Sequence, residues 1–118
     1  MGDYRLASAE ERFAEMIWAN APISSTELVK LCEKEMNWKK STTYTMLKKL
    51  CEKGIFQNQN AIVSVLVTKS EFYSRQSRRY VEDVFAGSLP GFLTAFCGGR
   101  KLSKEEAEEM KRFIEENT

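Results

Sequence analysis

The sequence predicts a mainly α protein with one small β-hairpin, built in two parts. Three observations carry this. Amphipathic helical patterns open near Ser8, Ser24 and Trp38, each with a stop signal behind it. A run of mostly β-branched residues, Ala61-Ile62-Val63-Ser64-Val65-Leu66-Val67, follows the polar stretch Gln57-Asn58-Gln59-Asn60. From Lys69 the pattern turns helical again, in short segments parted by glycines. Two helices, an outward-facing third helix and then a hairpin is the order of a winged helix-turn-helix. The two parts divide at 68/69: residues 1–68 form the winged helix and 69–118 a second, helical domain.

The first helix opens on Ser8-Ala9-Glu10-Glu11, a capping-box pattern. Ala9, Phe13, Met16, Ile17 and the nearby Trp18 form its apolar stripe, and Asn20-Ala21-Pro22 ends it. Ile23 tucks inward. Ser24-Ser25-Thr26-Glu27 repeats the capping pattern, and Leu28, Leu31 and Cys32 continue at core spacing to Met36. Asn37 turns the chain, and Trp38 plugs the corner before the third helix.

The stretch from Trp38 to Gly54 organises the rest. Thr43, Met46, Leu47, Leu50 and Cys51 fall on one side at helical spacing. Ser41, Thr42, Tyr44, Thr45, Lys48 and Lys49 fall on the other. Small hydroxyls and an aromatic ring can approach base edges, while Lys40, Lys48 and Lys49 can neutralise phosphates. These seven outward residues are the candidate DNA-binding set. Two starts are open for this helix: Ser41 capping a shortened form, or an earlier start whose free amides a DNA phosphate completes. Gly54 supplies the positive φ that ends it. The hairpin behind it is the wing. It carries no lysine or arginine, so its contribution to affinity is expected to be small.

In the tail, Phe72, Tyr73, Gln76, Tyr80 and Val84 share one face, with Val81 and Phe85 beside them. Ser88-Leu89-Pro90 restarts a helix after Gly87, with proline at an early position, and Leu89, Phe92, Leu93 and Phe96 mark its apolar face. After Gly98-Gly99, Ser103-Lys104-Glu105-Glu106 is a third capping box, followed by Ala107, Met110, Phe113 and Ile114. A tail this short makes a marginal core alone. Pairing with a second copy would cover Phe72, Tyr73, Tyr80, Val84, Leu89, Phe92, Leu93, Phe96, Met110 and Ile114, and would set two reading helices one DNA turn apart. Folding back on the N-terminal part is the other way to cover them.

The formal net charge of +1 hides an uneven distribution. Lys39, Lys40, Lys48, Lys49 and Lys53 face only Glu52 in the Trp38–Gly54 stretch, whereas the chain from Ser103 onward is rich in glutamate. The absence of histidine removes the commonest general base and transition-metal ligand. No glycine-rich phosphate loop or catalytic carboxylate pair stands out, so an enzyme is not expected, nor a cofactor or metal. Cys32, Cys51 and Cys97 lack metal-ligand spacing, and Cys32 and Cys51 read as buried filler. No apolar run is long enough to span a bilayer, and MGDYRLASAEER has no signal-peptide core, so a cytoplasmic location without membrane insertion is expected.

The pattern resembles the penicillinase-repressor family of bacterial transcriptional repressors. The resemblance rests on Ser8-Ala9-Glu10 with Met16-Ile17-Trp18, on Trp38, Thr42, Thr45, Leu47, Leu50 and Lys53-Gly54, and on Phe72-Tyr73, Ser77, Phe85, Gly87-Ser88, Phe96, Leu102-Ser103 and Glu105-Glu106. It implies a winged-helix domain and a helical dimerisation domain, and a homodimer on an inverted repeat of double-stranded DNA. It also implies that Ser41, Thr42, Tyr44 and Thr45 face that DNA. Tyr44 stands where the family often has arginine, which implies a different operator. In β-lactam-responsive members a membrane-sensor system leads to proteolysis at an Asn-Phe bond. The matching bond is Ala95-Phe96, which keeps phenylalanine but not asparagine, and Phe96 also reads as core packing. The cysteine-rich motif of copper-responsive members is absent. Two functions follow: a dimeric repressor on a palindromic operator, or a winged-helix protein-interaction module that does not bind DNA.

Overall fold

The computed structural model describes residues 5–118; Met1 to Tyr4, the first residues of the leader reading, lie outside the described residues. The elements run α1 (Ser8–Asn20), β1 (Ile23–Ser24), α2 (Ser25–Met36), α3 (Lys40–Glu52), β2 (Phe56–Gln59), β3 (Ile62–Val65), α4 (Lys69–Phe85), α5 (Leu89–Cys97) and α6 (Lys104–Glu116). The chain divides into two compact units, the first ending at Ser77 and the second spanning Arg78–Thr118. That division falls inside α4, not ahead of it, because the core of the first unit takes in the start of this helix.

The caps explain most boundaries. α1 begins one residue earlier than its sequence pattern suggests. Ala7 is the N-cap, and its amide donates to the Glu10 carboxylate at 3.0 Å. Ala9 is exposed and lies off the apolar stripe. Ser24 caps α2 by accepting from the Glu27 amide at 3.1 Å. Asn37 closes α2 at φ 54°, where a short polar side chain tolerates the left-handed region. Thr68 and Glu71 form a reciprocal cap at the start of α4 that the sequence reading passed over. The Ser103–Glu106 box at α6 is complete in both directions.

The sheet is antiparallel in the order β1-β3-β2. A hairpin alone was expected; the added strand is Ile23–Ser24, which pairs Ile23 with Val63 and Ser24 with Ile62. Two residues carry no alternation to read, so sequence periodicity could not reveal it. The hairpin turn is Asn60-Ala61, both at positive φ (52° and 62°), the geometry of a type I′ turn. The Ala61 carbonyl accepts from the Ser25 amide at 2.8 Å, which ties the wing turn to the start of α2. Alanine fits the left-handed region poorly. Ala61→Gly is therefore expected to raise stability by about 0.5–1 kcal/mol, read as a higher thermal midpoint.

The core of the first unit draws Phe13, Ala14 and Ile17 from α1, Leu28 and Cys32 from α2, and Leu47 and Leu50 from α3. Ile55, Phe56, Val63, Val67 and Phe72 complete it. Trp18 sits at its edge. Its ring lies 5.4 Å from Phe56, 5.3 Å from Phe72 and 6.0 Å from Tyr73, and its indole N–H donates to the Val67 carbonyl at 3.0 Å. Trp38 fills the α2–α3 corner, 5.3 Å from Phe13. The Tyr73 hydroxyl donates to Glu15 at 2.8 Å, and Lys69 pairs with the same carboxylate at 2.7 Å. Those hydrogen bonds, Lys69 foremost, hold the Glu15 carboxyl below its usual range. Burial and the neighbouring carboxylates push the Tyr73 phenol up.

Phe72 and Tyr73 therefore do not belong with the residues read as a pairing surface. Phe72 is fully buried and has no surface to offer a partner, and Tyr73 is half-buried with its hydroxyl engaged.

In the second unit an aromatic series runs Tyr80, Phe85, Phe92, Phe96, with neighbouring or near-neighbouring rings 5.6–6.2 Å apart. Yet no described side chain of this unit is fully buried. Phe96 is 71% exposed and Phe113 65%, so Phe96 is not buried in a core of its own unit.

Candidate nucleic-acid interface

α3 separates its two faces cleanly. Thr43, Leu47 and Leu50 are buried, with Met46 and Cys51 half-buried beside them. All of the outward set is exposed: Lys40, Ser41, Thr42, Tyr44, Thr45, Lys48 and Lys49. One helix thus presents three hydroxyls, one phenol ring and three ammonium groups to solvent. The inward face anchors it through core packing, and burial raises the Cys51 and Cys32 thiols, keeping them neutral filler.

Of the two possible starts, the structure takes the earlier one. Lys39 is the N-cap in extended conformation, with no side-chain cap. The Thr43 amide is the first to find its helical partner, the Lys39 carbonyl at 3.1 Å. The amides of Lys40, Ser41 and Thr42 precede it at the uncapped end, whose first turn holds no acidic residue. The far end is closed firmly. Gly54 at φ 79° donates to the Cys51 carbonyl and Ile55 to that of Leu50, the paired bonds of a Schellman motif.

Several outward groups are oriented by their neighbours. The Thr45 hydroxyl donates to the Ser41 carbonyl at 2.9 Å, leaving its oxygen as an acceptor toward solvent. The Tyr44 hydroxyl donates to the buried Ser25 Oγ at 3.2 Å, so the phenol lies fixed against the start of α2. Lys53 is drawn away from this face. Its ammonium donates to the Arg5 carbonyl at 2.9 Å and approaches Glu10 at 4.0 Å. The local basic excess is therefore smaller than the lysine count suggests.

The wing brings one residue to α3 that sequence reasoning left in a generic polar turn. Asn58 lies with Tyr44, Leu47, Lys48 and Cys51 around a shallow groove of about 270 Å³. Strand alternation was the available signal: Asn58 shares a face with the buried Phe56, while Gln57 turns away and donates to the Ser64 hydroxyl at 3.0 Å. Among the described residues no helix is long and apolar enough to cross a membrane, and no three acidic, cysteine or histidine side chains gather as a metal site.

Comparison with known proteins agrees with this architecture. The chain is 24% identical over 115 residues to the methicillin resistance regulatory protein MecI of Staphylococcus aureus, covering 94% of each chain. It is 24% identical over 117 residues to the penicillinase repressor of Bacillus licheniformis, covering 96% of this chain and 91% of that one. The MecI protein of Mammaliicoccus sciuri matches at the same identity over 115 residues, again 94% of each chain. The model of the penicillinase repressor family matches residues 6–116, so a single match runs through most of both compact units. With a winged helix followed by helices, and a match across nearly its whole length, the chain belongs to the penicillinase repressor family, whose members are transcriptional regulators and not enzymes.

Proposed function

We propose that this repressor acts as a dimer that binds a palindromic operator through α3. The observation that carries the reading is the two-faced character of α3: a buried anchoring side and an outward side of hydroxyls, one aromatic ring and lysines. Lys40, Lys48 and Lys49 set the register on phosphates. Ser41, Thr42, Tyr44 and Thr45 meet base edges in the major groove. The uncapped amides at the start of α3 suit a phosphate. With the Tyr44 hydroxyl held by Ser25, the ring itself is the contact, which favours an apolar neighbour such as a thymine methyl.

Dimerisation is the use that best fits the second unit. Tyr80, Val84, Leu89, Phe92, Leu93, Phe96, Met110 and Ile114 remain as its pairing residues, with Phe113 and Leu102 added by their exposure. Burying them against a second copy supplies the core that the unit lacks. An intracellular site of action follows from this reading. Induction by a membrane-sensor protease fits less well. The Ala95-Phe96 bond lacks the family's asparagine and lies within α5, which would have to unwind to enter a protease cleft.

Selection from a randomised duplex library, with a salt titration on the enriched sequence, tests the proposal. An inverted repeat bound by two chains with a steep salt slope supports it. No enrichment and no salt-dependent binding would turn the reading to a protein-interaction module. Within the winning duplex, Thr45→Ala is expected to relax sequence choice at one position per half-site, losing about 1–3 kcal/mol of discrimination. Lys48→Ala is expected to weaken all sequences alike and reduce the salt slope by about one for each half-site.

A further inference from the structure

The groove between α3 and β2 has a composition that the general reading of the wing does not explain. Its floor is apolar, from Leu47 and the half-buried Cys51. The exposed Lys48 from α3 and Asn58 from β2 also line it, as does Tyr44, whose hydroxyl is held by Ser25. No carboxylate lines it. One cationic residue and one neutral amide residue thus line a concavity of about 270 Å³, beside the helix that presents Thr45 and Lys49 outward.

We propose that this groove seats one backbone phosphate of the bound duplex, with Lys48 supplying charge and Asn58 a directional N–H. The inference rests on the DNA-binding reading and deepens it. α3 lying in the major groove places the edge of the helix facing the wing beside a sugar-phosphate strand, and phosphates receive half or more of protein–DNA hydrogen bonds. An ammonium ion attracts a phosphate from any direction; a carboxamide N–H fixes where it sits. The uncharged wing therefore acts through geometry, and its contribution does not register as counterion release.

The test uses the full chain and its selected duplex, with affinity measured across a salt series. Asn58→Ala is expected to weaken binding about tenfold for each half-site at every salt concentration, the scale of one hydrogen bond to a charged acceptor, with the slope unchanged. Asn58→Lys is expected to steepen the slope by about one per half-site. Replacing phosphates one at a time with methylphosphonate is expected to reveal one position per half-site where the loss is smaller in Asn58→Ala than in the unaltered chain. Asn58 is exposed, so circular dichroism should report the same melting midpoint for all three proteins. Asn58→Ala within twofold of the unaltered chain, or an unchanged slope for Asn58→Lys, overturns the phosphate seat while leaving DNA binding intact. An unaltered chain that binds no duplex overturns both.

Discussion

Replacing Phe72 with alanine is expected to destabilise the winged-helix unit by about 3–5 kcal/mol. Phe72 is fully buried, packs 5.3 Å from the Trp18 ring and meets Tyr73 edge-on at 5.3 Å. Removing the ring leaves a cavity in the interior, where neighbours relax only in part. Domains of this size are stable by about 5–15 kcal/mol, so the loss is a large share of the whole. Urea denaturation followed by tryptophan emission measures it as a fall in the midpoint. A chain ending at Thr68 should lose the cooperative transition for the same reason, whereas one ending at Ser77 should keep it. Equal stability of the two truncated chains would show that α4 is not part of this core.

The second large effect concerns pairing. Ile114→Glu combined with Phe96→Asp is expected to yield a monomer and to weaken operator binding by about 10²–10⁴-fold. That is the range lost when a linked second half-site no longer helps the first. Both side chains are more than half exposed in the single chain. The charges should therefore cost the isolated fold little, within about 0.5 kcal/mol each. Sedimentation velocity gives the mass, and titration of the full palindrome against a single half-site gives the loss. A doubly substituted chain that still sediments as a dimer would place the pairing surface elsewhere.

The faces of α3 were legible because each outward residue is polar and each inward one is apolar, apart from Thr43. The same was true of the Ser24 cap at α2, which forms in one direction only, and of the full capping box at α6, where the cap chemistry is local. α1 was displaced by one residue because the Glu10 carboxylate reaches the amide of Ala7, a cap position with no side-chain signature. The Thr68–Glu71 cap was readable as Thr-x-x-Glu, but the helical pattern that draws attention begins at Lys69. Phe72 was misassigned for a deeper reason. Periodicity identifies an apolar face but does not say which surface will cover it, and the first turns of α4 are covered by Trp18 and its neighbours. Asn58 was hidden because a polar run before a strand reads as a turn, although its alternation with Phe56 carried the answer.

The aromatic neighbourhood of Trp18 also determines what light can report. Both tryptophans, Trp18 and Trp38, lie in the first unit. Trp18 is enclosed by Phe56, Phe72 and Tyr73, and its indole proton is held by the Val67 carbonyl. Its emission should be blue-shifted in the native chain and move to the red when the start of α4 lets go. The second unit has no indole, so its association and dissociation should pass with the emission spectrum unchanged. Fluorescence therefore reads one half of this molecule and is blind to the other, which separates the folding of the winged-helix unit from any association of the helical unit without any added label.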